Sequence, residues 1–558
     1  MNGVNRKWHD GMLNTEDWWS VWLGLIMFFA GLLTVWDINI LGWMVNTKTW
    51  VFSDFMNDPA WHKILKPSHM KEWKKGAGPL YALLTTYGVF TLLTCIGAYF
   101  MKLDVKKFFW GFTIIFFLTY TTWVIAFEAH FKAAKSAQSL NSPDVYGDDV
   151  YCTTKVNKCT KEINKALKKL GVAKGELPDK ATAAKAVDMS KHSIRMTWGL
   201  QLGGGFGFIL ALIVGLIIGN FIKPLANYLR EAAKPEWFIK TAIVYLGIKI
   251  GLMSMKAAGF TFELAIAGAV ATIVAYLLFW PITYTLGRRA FGLSRAAAAV
   301  LSSGISICGV SAAIATAGAI RAKPVLPIMV SMLIVIFAML ELIILPVFYA
   351  KVAPNSPIVN GAAMGMTVKT DGADGAAGAI LDELMVADAA RRGIHWESDW
   401  ILTTSVMTKV WIDMFIGVWA FVLAIVWVYK VERTPGQDHV GASEIWFRFP
   451  KFVLGYFFCW FAYLAIAVFL PDIIKPAKVG AKIVQHGMRK MMFMLTFVTI
   501  GIITDFSKLK GMGKLALLYA ISLFLIIAPI AYVVAWIFHH GMNLCNSRPE
   551  ILPRLAVV

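Results

Sequence analysis

From Ser302 to Ser311 the chain reads SSGISICGVS, which sets Gly304 and Gly309 among Ser303, Ser306 and Cys308 inside the apolar stretch Arg295 to Ile320. A helix opened at those glycines frees backbone N–H and C=O groups that, at membrane depth, need a partner in protein, water or ligand. The half-helix starting there aims its amides and the positive end of its dipole inward, an arrangement that suits an anion. Close packing of small-residue helices is the other use of such a stretch. Charged residues form two more groups within apolar surroundings: Lys369, Asp371 and Asp374 in the Gly-rich run Thr367 to Gly378, and Lys409 with Asp413 in Trp400 to Tyr429. Lys409 and Asp413 are four residues apart, hence on one helix face, where they can neutralise one another. Charges inside a span are costly and mark ion or substrate pathways, with a structural ion pair as the alternative. Backbone N–H at Gly304 to Gly309, the Ser303 and Ser306 hydroxyls, and Lys369 or Lys409 would hold an oxyanion. Asp371, Asp374 and Asp413 would carry a coupling proton or Na⁺.

Composition says what must position these residues. Of 558 residues, 58% are hydrophobic and 16% charged, against about 25% charged in soluble domains, and the mean hydropathy is +0.62. At about 20 apolar residues per span, this composition supports roughly a dozen membrane helices. The class is an all-α polytopic membrane protein. The net charge of +20, from 54 basic and 34 acidic residues, would suggest nucleic acid in a soluble protein, but no nucleic-acid motif accompanies it. Basic cytoplasmic loops and contact with anionic lipid account for it.

Three apolar runs, Trp18 to Trp36, Pro79 to Met101 and Phe108 to Phe131, precede a polar stretch from Ala133 to Met196. Glu16 and Asp17 before the first run, with no cleavage site after it, imply that this run is retained as a span. Ten further segments form two sets of five: Gly199 to Phe221, Phe238 to Met253, Phe262 to Leu286, Arg295 to Ile320 and Val325 to Ala350, then Ile358 to Ala387, Trp400 to Tyr429, Trp446 to Leu470, Ile483 to Phe506 and Leu515 to His540. With a cytoplasmic N-terminus, thirteen crossings place Lys102/Lys106/Lys107, Lys223/Arg230/Lys234, Arg288/Arg289, Lys351, Lys430/Arg433/Arg448/Lys451 and Lys508/Lys510/Lys514 inside, as basic loops require. Arg321/Lys323 and Arg391/Arg392 are exceptions on the outside. Because five is odd, consecutive five-helix units enter the membrane in opposite orientation, the inverted-repeat plan of many secondary transporters. The expected organisation is three N-terminal helices (1–132), a lysine-rich outer lobe (133–197), a first five-helix repeat (198–350), a second (351–540) and an external tail (541–558).

Cys95, Cys308 and Cys459 lie in apolar runs and pack as small hydrophobes; Cys545 is alone in the tail. Cys152 and Cys159, in a lobe expected outside, are candidates for a local disulfide. No Cys/His cluster has zinc spacing. In the lobe, Ile163, Leu167 and Leu170 share one face of a lysine-rich helix, as in a small helical hairpin.

The stretch Ser303-Gly304-Ile305-Ser306-Ile307-Cys308-Gly309, with Ala312 and Ala315-Thr316, resembles a motif of the bacterial sulfate exporter family, membrane proteins related in fold to sodium/proton antiporters and bile-acid transporters. Leu246-Gly247-Ile248-Lys249, Gly365-Met366-Thr367-Val368 with Ala376-Ala377-Gly378, Gly501-Ile502-Ile503-Thr504 and Gly219-Asn220 echo it in order. The resemblance covers about 199 to 540 and, loosely, Glu16-Asp17-Trp18-Trp19. It implies discontinuous helices that cross near the site, with the fourth segment of each set as symmetry mates and Thr504 and Asp505 near the inner end of the second. Where the family has Glu-Pro and His-Glu, this chain has Ala317-Gly318 and Lys369-Thr370, so the fold transfers more safely than the substrate.

The expected function is secondary active transport of a small anion, a sulfate, sulfite or sulfonate, coupled to a proton or Na⁺ gradient across a bacterial inner membrane. Lys249 is a further candidate donor that can equally snorkel to the interface, and Asp505 reads as a capping or interfacial acid. No cofactor and no nucleic-acid partner is implied; membrane lipid surrounds the chain, and a homo-oligomer is compatible with it. A channel, a receptor or a membrane enzyme is the alternative. No His-Glu-x-x-His, Gly-x-Ser-x-Gly or phosphate-loop motif is present, so an enzyme is not expected.

Overall fold

The computed structural model describes most of the chain; 1–10, 58–60, 69–77, most of 129–149, 153–155, 173–179, 190–192, 196–205, 255–257, 397–398, most of 428–448, 510–511, 543–558 and a few single positions lie outside the described residues. The protein is overwhelmingly helical. Among the described residues, eight helices are long and apolar enough to cross a membrane, or nine if a bent pair counts as one span.

The N-terminal helices are α1 (Glu16–Leu32), α2 (Gly78–Phe100) and α3 (Val105–Ala126). Thr15 caps α1 by accepting the Trp18 N–H at 3.4 Å, and Glu16 and Asp17 in its first turn complement the helix dipole. A two-stranded ribbon, β1 (Val45–Thr47) with β2 (Leu65–Pro67), follows α1. The polar lobe contains a three-stranded antiparallel sheet of β3 (Lys135–Ser136), β4 (Val150–Cys152) and β5 (Ser193–Arg195), together with α4 (Val156–Lys169) and α5 (Lys180–Met189). Ile163, Leu167 and Ala186 are buried between these helices, which matches the apolar stripe in the sequence; the sheet is an addition to the expected hairpin. The side chains of Cys152 and Cys159 lie outside the described residues. Cys95, Cys308 and Cys459 are free thiols, the last two buried.

Beyond the lobe, α6 (Phe206–Phe221) turns by 113° into α7 (Lys223–Leu229). Then come α8 (Pro235–Ser254), α9 (Ala258–Arg289), α10 (Arg295–Ser306), α11 (Val310–Ala319), α12 (Val325–Val352), α13 (Pro357–Thr367), α14 (Asp371–Arg391), α15 (Trp400–Val426), α16 (Phe452–Phe469), α17 (Ile474–Ile483), α18 (Arg489–Ile503), α19 (Gly513–Ala520) and α20 (Ala528–His539). One π-helical turn, Val484–Met488, joins α17 to α18, and another segment of the same kind, Ile521–Ile527, joins α19 to α20. Glycine lets α6 and α18 approach backbone to backbone: a Cβ on Gly219 would lie 2.5 Å from the Gly501 carbonyl oxygen. Asn220 ties the two ends together, donating to Thr504 O at 3.1 Å and accepting the Phe506 N–H at 2.9 Å. Helix α1 lies along α8, held by Lys234–Glu16 at 3.6 Å and Lys240–Asp17 at 3.5 Å.

Two expected spans do not run straight through. Asn360 Nδ2 lies 3.3 Å from Met385 Sδ, although 25 residues of continuous helix would part them by about 37 Å. Helices α13 and α14 therefore form a hairpin closed at Val368–Thr370. A Cβ on Gly361 would sit 2.7 Å from Ile401 O, and Ser405 Oγ donates to Asp374 at 2.6 Å. The hairpin thus enters and leaves at the Trp400 end of α15.

Helices α10 and α11 fold back as well, from the opposite end. Helix α9 runs parallel to α15, with Gly268 beside Thr408 and Tyr276 against Trp419, so Arg289 and the start of α10 lie at the Val426 end. Asn360 binds the Tyr349 and Ala353 carbonyls of α12 at 3.0 and 2.8 Å. That contact puts the Val352 end of α12 at the Trp400 side and its Val325 end, where α11 leads, at the Val426 side. The 295–325 segment consequently starts and finishes at the same end of the bundle.

Candidate functional site

The two hairpin tips meet at one side chain. Lys409, 1% exposed on α15, donates to Ile307 O at 3.1 Å on the first tip and to Val368 O and Lys369 O at 3.0 and 3.2 Å on the second. Its three protons satisfy three carbonyls released where the helices open, the requirement that irregular backbone at membrane depth imposes. Lys409, expected to hold substrate, here has its hydrogen-bonding capacity spent on stapling the tips.

The glycines of the first tip divide the work. Gly309 has φ +76°, the left-handed region, and a Cβ there would lie 2.8 Å from Lys369 O on the facing tip; only glycine makes this turn and this approach without strain. Gly304 leaves room for Ile334 and Val330 of α12, so close packing is its role. Ser303 Oγ accepts the Trp280 indole N–H at 2.9 Å, and Ser306 Oγ lies 3.3 Å from Thr283 Oγ1. Both hydroxyls thus contact α9, Ser303 as an acceptor that keeps its own proton. Cys308 is buried at the turn. Helix α11 opens with no side-chain cap, leaving the Val310 and Ser311 amides as the open donors of its first turn.

On the second tip, Thr370 Oγ1 caps α14 by accepting the Ala373 N–H at 3.2 Å, and Asp371 and Asp374 fill its first turn. That positive helix end is therefore met by the chain's own carboxylates. Asp374 accepts from Ser405 through one oxygen and has no donor at the other. Neither Asp413 oxygen has a protein donor, nor does Asp371 Oδ1; the two carboxyls interact with one another. Lys369 Nζ donates to Met366 O at 2.6 Å and lies 5.3 Å from the Phe279 ring centre.

One residue of the cluster was not singled out in the sequence. Glu341 of α12, 0% exposed, accepts the Lys369 backbone N–H at 2.8 Å and the Tyr519 hydroxyl at 2.9 Å. Its signal was available: it is the sole acid in the run Val325 to Ala350. Around the tips, four carboxyls (Glu341, Asp371, Asp374 and Asp413) face two ammonium groups (Lys369 and Lys409), every one at most 5% exposed. Uncompensated charge at such depth costs several kcal/mol or about that, so the excess acids must share protons or meet a cation. Among the described residues, no group of three or more His, Cys, Asp or Glu could hold a metal ion.

The other candidates sit away from the tips. Lys249 pairs with Asp399 at 2.5 Å near the start of α15. Burial pushes the Asp399 carboxyl up, but the charges of Lys249 and Arg489 more than offset this and hold it well below the usual range. Asp505 binds Lys223 at 2.7 Å and the Ser507 hydroxyl at 2.6 Å. These hydrogen bonds, Lys223 foremost, bring its pKa down to about 2, in keeping with an interfacial acid. The tip of α10–α11 thus meets the sixth apolar segment of the ten, and the inner end of the ninth, around Thr504 and Asp505, is elsewhere.

Residues 206–520, more than half the chain, match the model of the family described as Conserved hypothetical protein 698. The chain belongs to that family. Several relatives share a printed name: UPF0324 membrane protein NE0724 of Nitrosomonas europaea is 57% identical over 97% of this chain and 99% of its own. UPF0324 membrane protein RB9488 of Rhodopirellula baltica is 33% identical over 60% of this chain and 58% of its own. UPF0324 inner membrane protein YeiH of Salmonella typhimurium is 24% identical over 58% and 83% respectively. No solved structure matches. The family core of 206–520 contains both hairpins, α15 and Glu341, while α1 to α5 lie before it. This UPF0324 chain is a multi-pass membrane protein.

Proposed function

We propose that the protein is a secondary active transporter of a small anion of the sulfate, sulfite or sulfonate class, coupled to a proton gradient across the bacterial inner membrane, and not an enzyme. The observation that carries this reading is the meeting of two opposed hairpin tips at Lys409, beside buried carboxyls that lack donors. Discontinuous helices whose tips meet at the bilayer midplane form substrate sites in secondary transporters. The uncapped start of α11 offers amides to an anion, and Lys369 offers a charge. Asp371 and Asp413 would share the coupling proton, with Asp374 next to them. The printed name of the Salmonella relative, an inner membrane protein, supports the location, and the basic loops support a cytoplasmic N-terminus.

A second reading has its own support: the excess of acids over lysines at the tips favours a cation, with Na⁺ in place of the proton or as cargo. Reconstituted protein separates the two. Liposomes with an imposed pH gradient should accumulate or lose sulfate, sulfite or a small sulfonate saturably. If Na⁺ moves and no anion in the panel does, the anion reading fails. Flux that rises linearly with concentration and ignores every gradient would make the protein a channel.

A further inference from the structure

Arg489 opens α18 directly after the π-helical turn Val484–Met488, and π turns inside helices often accompany functional sites. Its side chain is 5% exposed, and its Nε has no hydrogen-bond partner. A guanidinium cannot shed its proton, and its rigid fork of donors matches an oxyanion two bonds at a time. Neighbouring acids are already committed. Asp382 accepts the backbone N–H of Asp399 at 2.8 Å through one oxygen and that of Ile401 at 3.1 Å through the other. Asp399 is paired with Lys249 at 2.5 Å. Among the described residues, no carboxylate forms an ion pair with Arg489. What does hold it is Phe493, one turn further on, with its ring centre 5.7 Å from the guanidinium carbon. Phe493 in turn packs on the hairpin, where a Cβ on Gly375 would lie 2.7 Å from its ring.

We infer that Arg489 is the anchor of an oxyanion-binding site between α8, α14 and α18, distinct from the hairpin tips. The occupant is a small oxyanion, free or as the headgroup of an anionic lipid, held bidentate by the guanidinium. The site deepens the anion-transport reading by giving the substrate a station on the Trp400 side of the tips, yet its binding chemistry does not depend on transport.

The test uses purified full-length protein in detergent at constant ionic strength, titrated calorimetrically with sulfate, phosphate and acetate against chloride. The wild type should bind sulfate or phosphate saturably, and Arg489→Gln should weaken binding at least tenfold. Arg489→Lys, which keeps the charge and loses the fork, should weaken it less than the glutamine variant. Asp371→Asn, which is expected to fold near wild type, should leave this binding intact while abolishing the response of flux to a pH gradient, so failure of the tip reading and failure of the Arg489 site are distinguishable. Competition by added phosphatidylglycerol would support the site and identify a headgroup as its source. If the Arg489 variants do not fold, phenylglyoxal labelling of the wild type decides: sulfate should slow modification of Arg489. No oxyanion binding, undiminished binding in Arg489→Gln, or labelling that sulfate leaves unchanged would overturn the proposal.

Discussion

Lys409 shows how one side chain can define a site, because three carbonyls from two different hairpins depend on it. Lys409→Met should leave those carbonyls and Asp413 without compensation and cost about 3–5 kcal/mol, the range for breaking a buried charge network. Thermal unfolding in detergent would detect the loss, and a variant as stable as the wild type would mean that the staple is incidental. Asp371→Asn and Asp413→Asn should behave differently, since either change relieves crowding between Asp413, which has no donor at either oxygen, and Asp371, which has none at Oδ1. Folded yield is expected to stay near wild type, exchange to persist, and the response to an imposed pH gradient to vanish; equal loss of protein and flux would return both aspartates to a structural role. The charges were legible in the sequence because Lys369, Asp371, Asp374, Lys409 and Asp413 interrupt apolar runs. Their partners were not. Nothing local indicates that Ser303 serves Trp280, and Glu341 passed unnoticed because a lone acid in a long apolar helix has no short-range companion to form a pattern.

At the scale of elements, periodicity located nearly every helix in the membrane core, yet the fold-back of two segments was hidden. A 12-residue α10 and a 10-residue α11 sum to the length of one span, so hydropathy alone reads a single crossing. The physical cause lies in the turn chemistry, with positive φ at Gly309 and three carbonyls stapled by a lysine 102 residues from Ile307 and 41 and 40 residues from Val368 and Lys369, separations that no local rule reaches. Gly309→Ala should therefore be severe for so small a change. Left-handed strain costs about 1–3 kcal/mol, and the new Cβ would meet Lys369 O at 2.8 Å. A lowered unfolding temperature with flux reduced is expected, whereas Gly259→Ala, where a Cβ would meet nothing within 4 Å, should be silent. The second hairpin can be tested chemically. Cysteines introduced as Asn360→Cys and Met385→Cys should cross-link within one chain through a short bifunctional thiol reagent, as their side-chain contact requires; two collinear helices would keep them far apart.

For the whole molecule, the two fold-backs change which loops share a side of the membrane. With thirteen straight crossings, Lys323 falls on the opposite side from Arg288 and Arg289, an exception to the basic-inside pattern. Removing these two crossings brings Lys323 to the side of Arg288, Arg289 and Arg295, while Lys351 joins Arg392 on the other. The helices beyond α14 keep their expected directions, because the two hairpins enter from opposite ends and their effects on parity cancel there. Charge alone could not choose between these topologies, since one basic cluster is gained and one lysine is lost. Contacts decide it, through Asn360 on α12 and Tyr276 on Trp419. Single cysteines placed as Arg295→Cys and Lys323→Cys, in a background with the native cysteines replaced, should therefore react with a membrane-impermeant thiol reagent from one and the same side of sealed vesicles. Asn355→Cys and Arg392→Cys, whose native side chains touch one another, should react only from the opposite side. Labelling of positions 295 and 323 from different sides would mean that the segment between them crosses, and the paired-hairpin architecture, with the site at its meeting point, would have to be given up.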